Sequence, residues 1–564
     1  MPTLFKTLAE LCENLKSTTK RNAMINLVAS FILQLEVRET SAAVLMLIGR
    51  AFPKWDQRVL EVSWAALGTI IRKILNLSDE AYFQAFDKTG DAGEAIESLF
   101  REGKIRRQST LFQNELTILE VHRSFNAIAG ITGTGSRERK ERLLETLFSS
   151  ATPLEVKYIV KILIGEMRTG FHEGLMELTV SHAYRIPLKV VQRASMLAGD
   201  IGEVATLAKN KGEEGLQRLK LKVFRPLKPM LAQKIESITE ALKEHGGKTA
   251  LEHKIDGARV QIHKSRSIVK IFSRRLTDVT SSLPEIVELC QNEIEEAEVV
   301  LEGELVAVNK KGKPMPFQNL MRRFRRIHKI NRIAEEIPIR LYLFDLLYIN
   351  GKSLINQKYT KRRERLGKLA GSIPLTKNII ASDPDVAEEF YKQAIKEGHE
   401  GLMLKNLDSL YTPGVRGKKW LKMKKVLEPL DLVVIAAEYG YGRRHGWLSD
   451  YHLAAQDPDT NELLTVGKTF KGLTDAEIIE MTKRLKGLTV RREGNKVIVV
   501  PQIVVEVSYN EVQKSPKYSC GMALRFARIT RIRYDKSVNE VDTIHKVREI
   551  YNNQFQRKSR APQL

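Results

Sequence analysis

Cysteine is nearly absent: Cys12, Cys290 and Cys520 are the three in 564 residues. They lie far apart, which excludes a disulfide framework and a cysteine-based zinc module. So few thiols suit the cell interior. Long apolar runs are missing too. The longest is Ala42–Ile48, far below the ~20 residues that cross a bilayer, so neither a membrane span nor a membrane partner is expected. The first residues, from Met1-Pro2 to Glu10, hold no apolar secretory core. Acidic residues are in deficit: 92 Lys+Arg against 68 Asp+Glu leaves a net charge of +24. That excess favours a polyanionic partner, because each neutralised phosphate releases condensed counterions.

What is present divides into three textures. Residues 1–224 read as helical. Val156, Ile159, Val160, Leu163 and Ile164 follow the spacing of one helix face. Leu143, Leu144, Leu147 and Phe148 do likewise after a glycine-rich break, with Ser136 as the expected N-cap. The prolines of Phe224-Arg225-Pro226-Leu227-Lys228-Pro229 suit an extended linker. Residues 225–429 then alternate short strands (Arg259–His263, Val269–Phe272, Val299–Val308, Arg340–Tyr348) with helices (Pro284–Glu296, Val386–Lys396), the pattern of an α+β domain. Residues 430–564 are β-rich over Leu432–Ala437, Leu463–Val466 and Val497–Val507, with a polar, fraying end after Tyr551, which suits a small β-barrel.

The chemistry centres on Lys254-Ile255-Asp256-Gly257-Ala258-Arg259. A lysine becomes nucleophilic when burial or neighbouring cations hold its amine neutral, and such an amine attacks phosphorus. Glu302 and Glu304 share one face of a strand, a placement that suits Mg²⁺ beside phosphates. Phe344-Asp345 offers a strand-borne aromatic. Glu400-Gly401-Leu402-Met403 adds a carboxylate beside glycine, and Lys422-Met423-Lys424 sets two ammonium groups on one side of a strand.

In this order the motifs resemble those of the ATP-dependent DNA ligases of the covalent nucleotidyltransferase superfamily, in the archaeal and eukaryotic replicative form. Ser273-Arg274 is similar to the family's next motif. Glu302-Gly303-Glu304 stands where D-G-E is usual. Ala523-Leu524-Arg525-Phe526-Ala527-Arg528 with Arg533-Tyr534-Asp535-Lys536 resembles the C-terminal motif, Ala527 replacing a common proline. Arg225–Ala232, Gly199–Gly202 and Arg168–Gly170 extend the likeness through the helical third.

The resemblance implies an all-α DNA-binding domain, a nucleotidyltransferase domain and a C-terminal OB-fold. It implies sealing of nicked duplex DNA in replication, repair and recombination. Lys254 is then the residue that carries AMP. Glu252 accepts from the adenine amine, and Phe344 stacks on the base. Arg259, Arg274 and Arg416 hold ribose and phosphate. Glu304 and Glu400 carry Mg²⁺, with Mn²⁺ as substitute, and Lys422 and Lys424 grip the α-phosphate of ATP. Arg533 and Lys536 reach the departing pyrophosphate when the last domain closes. A monomer in an archaeal-type cell, cytoplasmic and nucleoid-associated, is expected, with a sliding clamp as a further partner.

DNA grip is expected at two places. Between Lys310 and Arg332 stand nine basic residues and no acidic one, among them Arg322, Arg323, Arg325 and Arg326. Such uncompensated charge suits phosphate. Arg137, Arg139 and Lys140 follow the glycine-rich loop that starts at Gly130. Of the rivals, an RNA ligase or mRNA-capping enzyme shares the lysine motif, but Glu252 and the long helical region argue against capping. Intact Lys254, Glu304, Glu400, Lys422 and Lys424 argue against a catalytically silent DNA-binding scaffold. With no base-reading motif visible, phosphate contacts set the affinity. The affinity for nicked duplex is therefore expected to fall steeply as salt rises, and a flat log–log dependence in a binding titration contradicts a phosphate-dominated footprint.

Overall fold

The computed structural model describes residues 2–103, 115–310, 312–324, 330–424 and 427–559. Helices follow one another from Phe5–Lys16 to Ile201–Gln217, with no strand between them among the described residues. Local chemistry sets their ends. In Pro153–Ile164, Thr152 and Glu155 form a reciprocal capping box, Pro153 opens the first turn, and Gly165 closes the helix in the left-handed conformation. The helix Ser136–Ser150 differs from expectation by one residue. Gly135, at φ 70°, occupies the cap position, and Ser136 is the first helical residue. The inward faces meet in one apolar core reaching from Phe5 to Leu216.

The middle of the chain builds two five-stranded sheets. The first has the order β1 (Leu231–Lys234), β10 (Arg416–Lys424), β9 (Gly401–Lys405), β2 (Thr249–Lys254), β8 (Asn378–Ala381). The second runs β4 (Ile268–Ser273), β3 (Ala258–Ser265), β5 (Glu298–Ala307), β6 (Ile339–Ile349), β7 (Lys352–Ser353). Each strand expected here is present; three are two or three residues longer and Val299–Val308 is shifted by one. Val260, Ile262, Leu301 and Leu343 pack one sheet, and Leu251, Leu402, Leu404 and Leu421 the other. A further cluster, Met230, Trp420 and Tyr411 against Val300, Phe344 and Leu347, joins the two sheets.

The last region is strand-rich. β11 (Leu430–Tyr439), β12 (Leu448–Gln456), β13 (Leu463–Thr469), β14 (Thr489–Glu493), β15 (Lys496–Val499), β16 (Val504–Ser508) and β19 (Arg528–Arg533) form one sheet, and β17 (Glu511–Lys514) pairs with β18 (Met522–Arg525). The run Val497–Val507 is two strands, not one. Pro501, lacking an N–H, interrupts it, and β15 and β16 pair with different halves of β11. The segment after Tyr551, expected to fray, continues a helix, Ile544–Ser559.

The regions touch. Gln57 donates to the Leu276 carbonyl (3.0 Å) and accepts from the Asp278 N–H (2.8 Å). The Arg525 guanidinium lies 4.1 Å over the Phe317 ring. Among the described residues, no helix is long and apolar enough to cross a membrane.

One buried pair braces the floor of the central domain. Arg362, fully buried, holds both oxygens of Asp345 at 2.7 and 3.0 Å and donates to the carbonyls of Gln357 and Ser409. Asp345→Ala strands that guanidinium, so a loss of about 3–5 kcal/mol is expected in denaturant unfolding of the central domain. A change below about 1 kcal/mol contradicts the bracing role.

Candidate active site

β2 ends at Lys254, and the chain turns through Ile255-Asp256-Gly257 into β3 of the other sheet. The lysine therefore stands where the two sheets meet. Gly257 is needed for close approach, since a Cβ there would lie 2.3 Å from the Leu305 carbonyl oxygen. Gly401 is needed twice over. Its φ is +144°, and a Cβ would lie 2.1 Å from the Met423 carbonyl oxygen. Gly401 pairs with Lys254 on one side and Lys424 on the other, which brings both lysines to one row. Glu400 precedes it and donates its N–H to the Lys254 carbonyl at 2.9 Å. The Glu400 Oε2 atom lies 2.6 Å from the Nζ of Lys254 and 2.6 Å from that of Lys424.

Electrostatics follow from this sharing. Burial pushes the Lys254 ammonium down, but Glu400, Glu304 and Asp256 more than reverse it, so its pKa stands above the ordinary lysine range. The amine is thus protonated and ion-paired here, not held neutral as the sequence suggested. The reason is the pairing of β2 with β9, which sets a carboxylate against it. Burial also acts on Glu400, yet the two lysines draw its carboxyl down to about 2. Burial pushes Glu304 up to about 7, the pull of Lys254 and Arg259 being countered by repulsion from Glu400 and Asp256. Lys422 is lowered by burial and by Arg416, Lys424, Lys254 and Arg274 around it. The cleft therefore sets a ring of cations against two or three carboxylates, which fits a polyphosphate with a hard cation.

Several expected residues are committed elsewhere. Glu252 is buried; Lys405 lies 2.7 Å from its Oε2 and the Tyr359 hydroxyl donates to its Oε1. Arg259 holds Glu302 at 2.6 and 3.3 Å, the Met230 carbonyl at 2.7 Å and the Tyr411 hydroxyl at 3.1 Å. It builds the wall of the cleft, with little left for a ligand, and Glu302 is its counter-charge. Phe344 is 8% exposed, in the cluster that joins the sheets, with Arg259 5.3 Å and Lys405 4.9 Å over its ring. Arg274 and Arg416 remain exposed. Arg533 and Lys536 are held on their own domain. Arg533 grips both oxygens of Asp431 at 2.9 Å and also Asp535, and Lys536 lies 2.7 Å from Asp431.

Reasoning from sequence missed Lys405, Tyr359 and Tyr411. A lysine closing the apolar strand Gly401–Lys405 was the one visible signal, and its acid partner on β2 appears only through strand pairing.

The DNA-contact expectations divide. Arg137 is exposed and paired with Glu141 at 2.8 Å. Arg139 donates to the carbonyls of Thr132, Thr134 and Gly135, bracing its own loop. Lys140 is buried against Glu61 and the Leu60 carbonyl, both at 3.1 Å, so it does not face DNA. Arg323 is buried against Glu285 and likewise does not. That pair and Arg332–Glu336 show that the basic run is compensated in part. Arg322 is exposed; Arg325 and Arg326 lie outside the described residues.

A lysine at a sheet junction, one carboxylate away from a second lysine and ringed by cations, suits nucleotidyl transfer. The comparisons make this specific. The middle of the chain, residues 229–424, matches the ATP dependent DNA ligase domain. Residues 4–178 match the DNA ligase N terminus, and residues 444–536 the ATP dependent DNA ligase C terminal region. The chain is 45% identical over 557 residues to DNA ligase 1 of Korarchaeum cryptofilum, covering 98% of this chain and 99% of the relative. It is 42% identical over 559 residues to the DNA ligase of Thermococcus fumicolans, covering 99% of this chain and all of the relative. A solved structure titled Pmar-Lig_Pre. shares the fold at 19% identity and TM-score 0.56, over 94% of this chain and 99% of that one. The chain belongs to the ATP-dependent DNA ligases, enzymes that seal nicks in DNA.

A cation at Glu304 would need the carboxylate form. The single-turnover rate of enzyme–nucleotide formation is therefore expected to rise with pH, with a midpoint near 7. A rate that stays flat from pH 6 to 8 excludes Glu304 as the titrating ligand.

Proposed function

We propose that Lys254 carries the adenylate. Its Nζ forms a P–N bond to the α-phosphate of ATP while the bond to pyrophosphate breaks. AMP then passes to the 5′-phosphate at a nick, and the 3′-hydroxyl displaces it. The observation that supports this reading is the shared Glu400 oxygen, which places Lys254 and Lys424 within reach of one phosphate. Lys422, Lys424, Arg274 and Arg416 neutralise charge spread over the phosphate oxygens.

Glu304 and Glu400 are the residues that hold Mg²⁺. Their fit rests on Glu304, which repulsion and burial keep short of counter-charge. The bound cation supplies positive charge to both carboxylates. Burial, the largest single influence on Lys254, favours the free amine, while Glu400, Glu304 and Asp256 hold its proton; a cation held by Glu304 and Glu400 would weaken that hold. Glu252 faces the adenine amine while Lys405 balances its charge, and Phe344 packs against the base. Arg533 and Lys536 exchange Asp431 for pyrophosphate when the last domain closes. The domains are taken as 1–224, 225–429 and 430–564. The last is an OB-fold, a reading supported by its sheet, in which β11 pairs with β12, β15 and β16.

Lys254→Ala is expected to abolish labelling by radioactive ATP and overall joining, while a pre-adenylated nick is still sealed. Retained labelling overturns the assignment. With the unaltered protein, equal labelling by ATP and GTP removes the adenine role of Glu252.

A further inference from the structure

Lys254 and Glu400 are each preceded by a histidine. Successive strand residues face opposite sides, so His253 points away from the nucleotide cleft. There, on the back of β2, it meets His399 and Glu397. One donor atom from each of the three lies within 4.8 Å of the others. His253 Nδ1 stands 3.4 Å from Glu397 Oε2, and His399 Nε2 stands 3.8 Å from the same oxygen. These separations are long for hydrogen bonds. They are close to the ~3.3–3.5 Å between two ligands on one tetrahedral zinc-sized cation, given metal–ligand bonds of about 2.0–2.2 Å.

The surroundings support ligation. His253 and His399 are 3% and 9% exposed, and Phe390 covers the His253 ring at 4.5 Å. The other ring nitrogen of His253 is buried without a hydrogen-bond partner, so ordinary hydrogen bonding does not account for the burial of this side chain. Glu397 is oriented from behind. Its Oε1 accepts from Gln393 at 2.9 Å and Lys377 at 3.2 Å, which leaves Oε2 directed at both rings. Such outer partners typically fix a ligating carboxylate. His399 also lines a small cleft with Ile255, Asp256, Met315 and Gly398.

We propose that His253, Glu397 and His399 form a second cation site, selective for a divalent transition metal of the zinc class and distinct from the oxygen donors Glu304 and Glu400. Two imidazoles and one carboxylate are a zinc-type donor set with a fourth position open. A cation there ties the backbone of His253-Lys254 to that of His399-Glu400, so it positions both halves of the ion pair in the cleft without touching substrate. The site itself does not depend on the ligase chemistry.

The test uses the full chain, stripped with chelator and titrated with Co²⁺ alone. One equivalent is expected to give the intense visible absorption of low-coordinate Co²⁺, displaced by Zn²⁺ but not by excess Mg²⁺. Glu397→Gln and, separately, His399→Asn are expected to weaken that band's affinity about tenfold or more, with circular dichroism confirming folding. His545→Asn, in the exposed group Asp457, Asp459 and His545, is expected to leave it unchanged. Absence of the band in the unaltered chain overturns the proposal. So does its displacement by Mg²⁺, its persistence in a folded Glu397→Gln protein, or its loss in His545→Asn.

Discussion

One oxygen, Glu400 Oε2, lies 2.6 Å from two ammonium groups, those of Lys254 and Lys424. Opposite charges this close in a recessed site attract strongly because little water screens them. The contact is also what three strands have in common. β2 brings the first lysine, the entry to β9 brings the carboxylate, and β10 brings the second lysine. Gly401, at a φ that favours glycine and tight against the Met423 carbonyl, lets the strands approach closely enough for the sharing. Without nucleotide the carboxylate keeps the half-buried lysine charged. The same carboxylate is therefore the lysine's guard in the resting state.

Around that centre the arginines and lysines fall into three kinds. Arg259 and Arg362 are consumed by buried carboxylates, Glu302 and Asp345, and by backbone carbonyls. They fix the wall and floor of the cleft. Lys422 instead faces Arg416, Lys424, Lys254 and Arg274, an excess of positive charge that an anionic ligand relieves. Arg533 and Lys536 are of a third sort. Asp431 holds them on the last domain, so any reach toward the cleft exchanges one carboxylate for another anion. The charge change is then small, which suits a domain that opens and closes.

Much of this was legible before any coordinates. The periodic run Val156 to Ile164 falls within the helix Pro153–Ile164, because apolar spacing acts locally. Strands of the central sheets were visible because β-branched and aromatic runs stood between turns. Misreadings came where a distant partner decides. The division of Val497–Val507 depends on where β11 pairs. Lys140 and Arg323 looked solvated, yet Glu61 and Glu285 lie on other segments and draw them inward.

Residue identities and their order were enough to determine the family, and they singled out the lysine, cations and carboxylates proposed to serve it. Such information is carried by short motifs, each readable within a few residues. What only the tertiary structure decided was the electrical state of those groups: that Lys254 is paired, that Glu304 titrates near 7, that Arg259 is spent on Glu302. Charge interactions depend on separations and burial, and strands far apart along the chain set both.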